Sequence, residues 1–353
     1  MLRVCALTSG INVPSSRFRV RQHISELHKY SIVVEELKPK FDKYSDVPPP
    51  FNKLNLRKNF FPGYLVWAGI RLGLRMPSII RTHHYEITWL EREIQPGFLT
   101  FERMLKRPIA WDVDDAIWLK KPFGIKTAKA LSQISTVTIA GNNYLADYLA
   151  GLGANVVVVP TAIDTERFSP KKQAKDNDAF VIGWTGTSSN FSYLYAIEPA
   201  LSAFIADRKN AYFHVISDAM PNFKRLPRDR IIFSKWSPTT ESEKIKDFDV
   251  GIMPLLCDDW SKGKCAFKML QYMASGLPVI VSPVGMNVEV MSRMENNGFL
   301  ARTLSEWVDA LDYLYLNPDV RVRWGKVGRA TAEHFYSSGV IAKKLAEIFY
   351  LIS

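Results

Sequence analysis

The chain has 353 residues, 47% of them hydrophobic and 23% charged, a balance that excludes a mostly disordered protein and sets an expectation of two domains. Its net charge of +11 is unevenly placed, because residues 1–162 hold 22 Lys and Arg against 13 Asp and Glu, a net of +9, whereas residues 163–353 carry only +2. A negatively charged partner is therefore expected at the N-terminal half. Cys5, Cys257 and Cys265 form no CxxC pair and are odd in number, which argues against a disulfide framework or a zinc site. The first residues read as a strand and not as a secretion signal, and no run reaches bilayer-spanning length. The expected place is the cytoplasm, with peripheral attachment to the inner membrane face as the alternative.

In chain order, Leu2–Leu7 is a strand and Thr8-Ser9-Gly10 a small-residue loop after it, the place where doubly wound folds receive ligands. Ser15 or Ser16 is placed to cap a helix carrying Arg17, Arg19 and Arg21. Ile32–Glu36 is a second strand. From there to Ile87–Leu90, the next one, the chain turns basic: no acidic residue stands between Asp46 and Glu86, while Lys53, Arg57, Lys58, Arg71, Arg75 and Arg81 do. The aromatic run Phe60–Ile70 inside this interval suits either an interfacial membrane anchor or an ordinary buried helix with basic flanks. Nucleic acid fits the charge, but no motif for it accompanies the charge, and none is expected as a partner.

Glu91-Arg92-Glu93 follows that third strand. A fourth, Ile109–Asp112, runs into Val113-Asp114-Asp115. Three carboxylates within four residues should raise at least one pKa by repulsion, and such crowding suits catalysis or a metal. Thr136–Ala140 and Val156–Val159 complete the first half, and Pro160-Thr161-Ala162-Ile163-Asp164 reads as a hinge. The expected domains are 1–162 and 163–335, with a helix at 336–353 crossing back.

The second half repeats the rhythm, with strands expected at Phe180–Trp184, Tyr212–Ile216, Ile231–Phe233, Val250–Met253 and Val279–Val281. Between the first of these and its helix, Gly183-Trp184-Thr185-Gly186-Thr187-Ser188-Ser189-Asn190 is a loop whose amides and hydroxyls suit a phosphate, or simply a tight turn. Trp236, at another strand end, is placed to pack near a base. A helix is expected from near Lys264 to Ala274, ended by Gly276 and Pro278. On it Lys264, Lys268 and Gln271 would share one face and make an anion site at the helix start. From Ser305 the chain reads as helical, broken at Pro318.

This arrangement resembles the GT-B glycosyltransferases, and more narrowly retaining glycosyltransferase family 4. The resemblance rests on Gly10 with Ser15-Ser16-Arg17-Phe18-Arg19, on Asp112–Trp118, on Ala140-Gly141-Asn142 through Asp164, and most specifically on Asp249–Leu255 with Met273-Ala274-Ser275-Gly276-Leu277-Pro278-Val279-Ile280. It implies an α/β fold of two Rossmann-like parallel-sheet domains facing across a cleft. It also implies transfer of a hexosyl unit, with retention and without a metal or other cofactor, from a UDP- or GDP-linked sugar to a glycan or lipid-linked acceptor. Donor contacts would come from Gly10, Arg17, Arg19, Gly183, Thr185, Thr187, Ser188, Asn190, Trp236, Lys264, Lys268 and Gln271. Asp114 would orient or deprotonate the acceptor hydroxyl, with Asp115 or Glu93 as alternatives.

The chain departs from the family where two glutamates usually stand eight positions apart, since Gly263 and Gln271 occupy those places. Gln271 can still meet ribose, while a sugar contact would fall to Asp258 or Asp259. The loop Thr187–Asn190 also lacks the family's usual cations, a role left to Lys264 and Lys268, with Arg17 or Arg19 as a further source. Three other readings remain open at the level of sequence. These are a metal-dependent GT-A-like transferase using Asp112-Val113-Asp114 as a DxD motif, a nucleotide-sugar epimerase, and a non-catalytic nucleotide-sugar-binding subunit.

Overall fold

A computed structural model describes residues 1–43, 45, 61–171 and 178–353. It divides into two compact units, residues 1–161 with 338–353 and residues 162–337. In the first unit β1 (Leu2–Leu7), β2 (Ile32–Leu37), β3 (Ile87–Glu91), β4 (Ile109–Val113), β5 (Val137–Ala140) and β6 (Val156–Val158) form one parallel sheet in the order β2-β1-β3-β4-β5-β6. The direction of winding reverses between β1 and β3, so loops at the carboxyl ends of those strands border the crevice where such folds hold ligands. The central strands β3, β4 and β5 are buried along their whole length, as strands covered on both faces are, while the edge strand β2 alternates buried and exposed residues. Here the helices are α1 (Ile24–His28), α2 (Phe61–Arg81), α3 (Gly124–Ile134) and α4 (Asn143–Gly151), the last capped by Asn142 Oδ1 accepting from the Leu145 amide at 2.9 Å.

In the second unit β7 (Phe180–Thr185), β8 (Ala211–Ser217), β9 (Ile231–Lys235), β10 (Val250–Met253), β11 (Val279–Val281) and β12 (Gly298–Leu300) form a second parallel sheet, ordered β12-β11-β10-β7-β8-β9. Its helices are α5 (Phe191–Ala206), α6 (Glu241–Ile245), α7 (Asp259–Lys262), α8 (Phe267–Ala274), α9 (Met286–Met291), α10 (Leu304–Leu316) and α11 (Pro318–Tyr336). Pro318 begins α11, where its missing N–H costs nothing. Trp184, Phe204, Phe213, Trp307 and Leu311 centre the core. The final helix, α12 (Ser338–Ile352), belongs to the first unit, with Phe349 edge-on to Trp89 at 5.2 Å. Strand β12 escapes the sequence reading, because Gly298-Phe299-Leu300 is too short to show alternation.

One expectation changes here. Ser15 and Ser16 cap nothing, for both hydroxyls donate to the buried carboxylate of Glu91, at 2.6 and 2.7 Å, and the Ser9 amide joins them at 2.7 Å. The described part of the aromatic basic segment forms α2, which has two faces: Trp67 and Ile79 are buried, with the Trp67 ring 5.2 Å from Phe41, whereas Val66, Leu74 and Ile80 are exposed. Arg75 is buried too, donating to the carbonyls of Leu37 and Thr8 at 2.8 and 3.0 Å. Lys53, Arg57, Lys58 and Phe60 lie outside the described residues. Among the described residues no helix is long and apolar enough to cross a membrane.

His23, in a short turn before α1, is buried, and burial together with the charge of Arg19 pushes its imidazole down to about 3. The unfolded chain binds this proton near the ordinary histidine value, so the contribution to stability is present above it and is lost as pH falls toward the folded value. Between pH 6 and 4 the first unit should lose roughly 1.4 kcal/mol per pH unit through this group alone. Urea unfolding of wild type and of His23→Phe across that range checks the slope, which should be shallower in the variant.

Candidate functional site

At the carboxyl edge of the second sheet, β10 leads through α7 into α8. Asp258 caps α7, accepting from the Ser261 amide at 2.7 Å, and Asp259 pairs with Lys262 at 3.1 Å, so both carboxylates proposed for a sugar contact already hold local structure. The expected helix start at Lys264 is displaced to Phe267, because Ala266 adopts φ +52° and interrupts the helical run. Lys264 therefore does not share a helical face with Lys268. The two ammoniums are nevertheless neighbours. Lys264 Nζ lies 5.8 Å from the Tyr193 ring and 5.6 Å from that of Trp260, and 3.5 Å from Asn190 Oδ1. Lys268 Nζ lies over Trp184 at 5.3 Å and, among the described residues, makes no ion pair. Burial, reinforced by Lys264 and opposed by Glu241, pushes it down to about 7.

The loop after β7 is shaped around these cations. A Cβ on Gly186 would stand 2.5 Å from Lys268 Cε and 2.7 Å from the Trp184 ring, so only glycine leaves the ammonium its place. Gly183 sits mid-strand with the Phe248 ring 1.9 Å from where its Cβ would be, which makes it a packing residue and not a donor contact. Thr185 is spent as well: its amide donates to Tyr272 Oη at 2.9 Å and its hydroxyl to Glu241 Oε1 at 3.2 Å. Ser188 gives its amide and hydroxyl to Asp218, at 2.6 and 2.7 Å. Burial works against the charge of Asp218, but those hydrogen bonds outweigh it and hold the carboxyl below its ordinary range. An anion arriving at Ser188 would meet that carboxylate, so the loop is receptive on its Lys264–Lys268 side only. Thr187 pairs its hydroxyl with that of Ser189 at 2.8 Å on the exposed rim.

Gln271 is only 1% exposed, and its amide nitrogen has no hydrogen-bond partner. Trp236 is exposed at the end of β9, its amide donating to the Ser217 carbonyl at 2.8 Å. Glu241, at the start of α6, is the residue that sequence reasoning missed. Its carboxylate is buried beside Thr185, and Oε2 has no partner. Nothing in the local pattern Thr240-Glu241-Ser242-Glu243 separates it from a solvated helix start.

In the first unit the carboxylates at the ends of β3 and β4 are held by arginines. Arg19 is buried: its Nε donates to Asp112 at 2.7 Å and Nη1 to the Val159 carbonyl at 2.8 Å and Thr161 Oγ1 at 3.3 Å. It is thus a structural cation and not a donor contact. Arg17 lies with its guanidinium 4.8 Å from the Phe18 ring. A Cβ on Gly10, at φ +151°, would fall 2.2 Å from Asp42, whose carboxylate binds the Ile11 and Asn12 amides.

Burial pushes Asp112 up to about 6 against the pull of Arg19, with repulsion from Asp114 a smaller cause. Asp114 goes the other way. Arg92 donates to it from Nε at 2.5 Å and to Asp115 from Nη2 at 2.5 Å, and this outweighs burial to hold Asp114 below the usual carboxylate range. Arg92 itself sits at φ +56°, an unusual backbone for arginine that aims its side chain at both carboxylates. Glu93 points elsewhere, buried and paired with Lys43 at 3.0 Å.

The DxD alternative fails on this geometry, since the Asp112 oxygens are taken by Arg19 and by Trp89 Nε1 at 3.2 Å and cannot turn with Asp114 to one ion. Among the described residues no cluster of three or more acidic, His or Cys side chains is arranged to hold a metal.

Residues 179–317 match the family model described as glycosyl transferases group 1. No curated protein matches the chain. Among solved structures, sucrose-phosphate synthase from Thermosynechococcus elongatus superposes with a TM-score of 0.73 at 13% identity, over 99% of each chain. Anabaena HepE in complex with UDP and glucose gives 0.69 at 12%, over 99% of this chain and 100% of that one. A glycosyltransferase from Rickettsia africae gives 0.66 at 14%, over 99% and 98%. At such identities the likeness establishes the fold, which is GT-B, and the family match covers the second unit with its lysine site. The chain thus has the GT-B fold, and its second unit matches glycosyl transferases group 1 over residues 179–317.

Removing one partner of the Arg19–Asp112 pair leaves the other charge buried alone. Arg19→Met should destabilise the first unit by about 3–5 kcal/mol, and Arg19→Met with Asp112→Leu should recover much of that. Urea unfolding followed by tryptophan fluorescence measures both.

Proposed function

We propose that the protein is a retaining hexosyltransferase that moves a sugar from a nucleotide diphosphate sugar to a hydroxyl of a glycan or lipid-linked acceptor, in the synthesis of a cell-surface polysaccharide or glycolipid. The observation that carries this reading is the Lys264–Lys268 pair. Two cations, one of them half-buried and without a paired anion among the described residues, face a loop of small residues in which a Cβ on Gly186 would crowd Lys268 and Trp184. Such a place suits a diphosphate, and the group 1 family match covers it. The UDP complex of HepE supports uridine as the nucleotide.

When the bond between sugar and diphosphate breaks, negative charge grows on the departing oxygen. Ammoniums already fixed beside it stabilise that charge without reorganising, and in this reading they do the work a divalent cation does in other transferases. Gln271, with an unpartnered buried amide nitrogen, would donate to a ribose hydroxyl after a small side-chain rotation, and Trp236 would pack on the base. In the first unit Asp114 is the acceptor-orienting carboxylate. Because Arg92 keeps it ionised, it accepts a hydrogen bond from the attacking hydroxyl and is a weak base for the proton. The proton then leaves with the diphosphate oxygen on the same face of the sugar, which is the geometry of retention.

Lys268→Ala should reduce turnover by about 10²–10³ while its melting temperature stays near that of wild type. Proton NMR of the first-formed product should show the anomeric configuration of the donor. Wild-type turnover in the variant would remove the lysine site from the mechanism, and an inverted product would remove retention. Activity unchanged by excess EDTA is the expected outcome for metal dependence.

A further inference from the structure

Between Asp115 and Asp147 the chain has no acidic residue, but it has Lys120, Lys121, Lys126 and Lys129. The same stretch, between β4 and the first turns of α3, exposes three large apolar side chains: Leu119 at 43%, Phe123 at 48% and Ile125 at 60%. Scattered apolar residues on a surface need no explanation, but three within seven positions ringed by lysines do. We infer that this surface is the membrane-facing side of the first unit, with Leu119, Phe123 and Ile125 entering the interface of an anionic bilayer and Lys121, Lys126 and Lys129 meeting its headgroups.

The loop is built to hold that shape. The Leu119, Lys120 and Gly124 amides donate to the carbonyls of Ala116, Ile117 and Lys120 at 3.1, 3.0 and 2.8 Å. The Phe123 amide reaches the Gly97 carbonyl at 3.1 Å, and its ring meets Phe98 edge-on at 5.5 Å. Beneath them Trp118 stacks on Tyr148 with ring centroids 3.8 Å apart. A fixed protrusion of this kind gives up little conformational freedom when it enters an interface. Apolar side chains with lysines at their margin are the composition of interfacial segments, and each lysine near an anionic surface adds to the attraction. A second copy of the chain is a poorer occupant, since a two-fold contact would set lysine against lysine.

The surface also adjoins the proposed acceptor site. Lys120 is partly buried, which lowers its pKa, and Asp115 and Arg92 are among the charges it feels. An acceptor carried by a lipid would therefore arrive beside the Arg92–Asp114–Asp115 cluster. This rests on the membrane-linked reading of the acceptor, while the surface itself is argued from charge and exposure.

The test is co-sedimentation of the full chain with vesicles of phosphatidylcholine alone and of phosphatidylcholine mixed with phosphatidylglycerol. Wild type should bind the mixed vesicles and not the neutral ones. Leu119→Ser/Phe123→Ser/Ile125→Ser should weaken that binding by about tenfold or more, and Lys121→Glu/Lys126→Glu should weaken it by about fivefold per lysine, both with unchanged UDP affinity. Undiminished binding by both variants overturns this surface and leaves membrane association standing elsewhere. No binding by wild type overturns the membrane reading and leaves sugar transfer untouched. Self-association of wild type that the triple variant abolishes would assign the face to a second copy and also overturn the proposal.

Discussion

An ammonium held over an indole ring, half out of water and with no carboxylate against it, is costly to keep charged, and the second unit is arranged around that cost. Lys268 gains from the Trp184 face and loses to burial and to Lys264, and the balance brings its proton into the range where an arriving anion decides whether it stays. Gly186 exists in that loop because any side chain would displace the ammonium. Glu241 is near enough to favour the charge and does not form an ion pair with it, which leaves the cation available to a ligand. A full salt bridge at this place would have spent the charge on the fold.

The first unit treats its charges in the opposite manner. Arg19 and Asp112 bind each other out of water, and Arg92 satisfies Asp114 and Asp115 together. The contrast separates structural from reactive groups better than residue type does. Arg19, named from sequence as a donor contact, is committed to the carbonyl of Val159 and to Asp112, whereas Lys268 is committed to nothing as strong. Asp114 and Asp115, which Arg92 holds from an unusual backbone conformation, keep partial exposure.

Strand positions were legible because parallel strands buried on both faces read as short apolar runs, and β1, β10 and β11 have the bounds expected from those runs. The convergence of Lys264 and Lys268 on the loop after β7 was legible in outcome but not in cause. Their proximity comes from the αL turn at Ala266 and not from a shared helical face. Partners supplied by distant segments were not legible. Asp218 taking the Ser188 donors, Glu241 beneath Thr185 and Arg19 closing on Asp112 are pairings over 30, 56 and 93 positions, and no local spacing encodes them. The lysine-ringed apolar surface after Asp115 stands plainly in the sequence, but the longer basic run before Glu86 draws the membrane reading to itself.

The central claim is that Lys268 exists to meet a diphosphate. Isothermal titration of UDP at pH 8, in buffers of differing ionisation enthalpy, counts the protons taken up on binding. A lysine whose proton is held only to about 7 in the free protein should regain it beside the anion, so roughly one proton should enter per UDP bound, and this uptake should vanish in Lys268→Ala. Binding without proton uptake, or with the same uptake in the variant, would contradict the account.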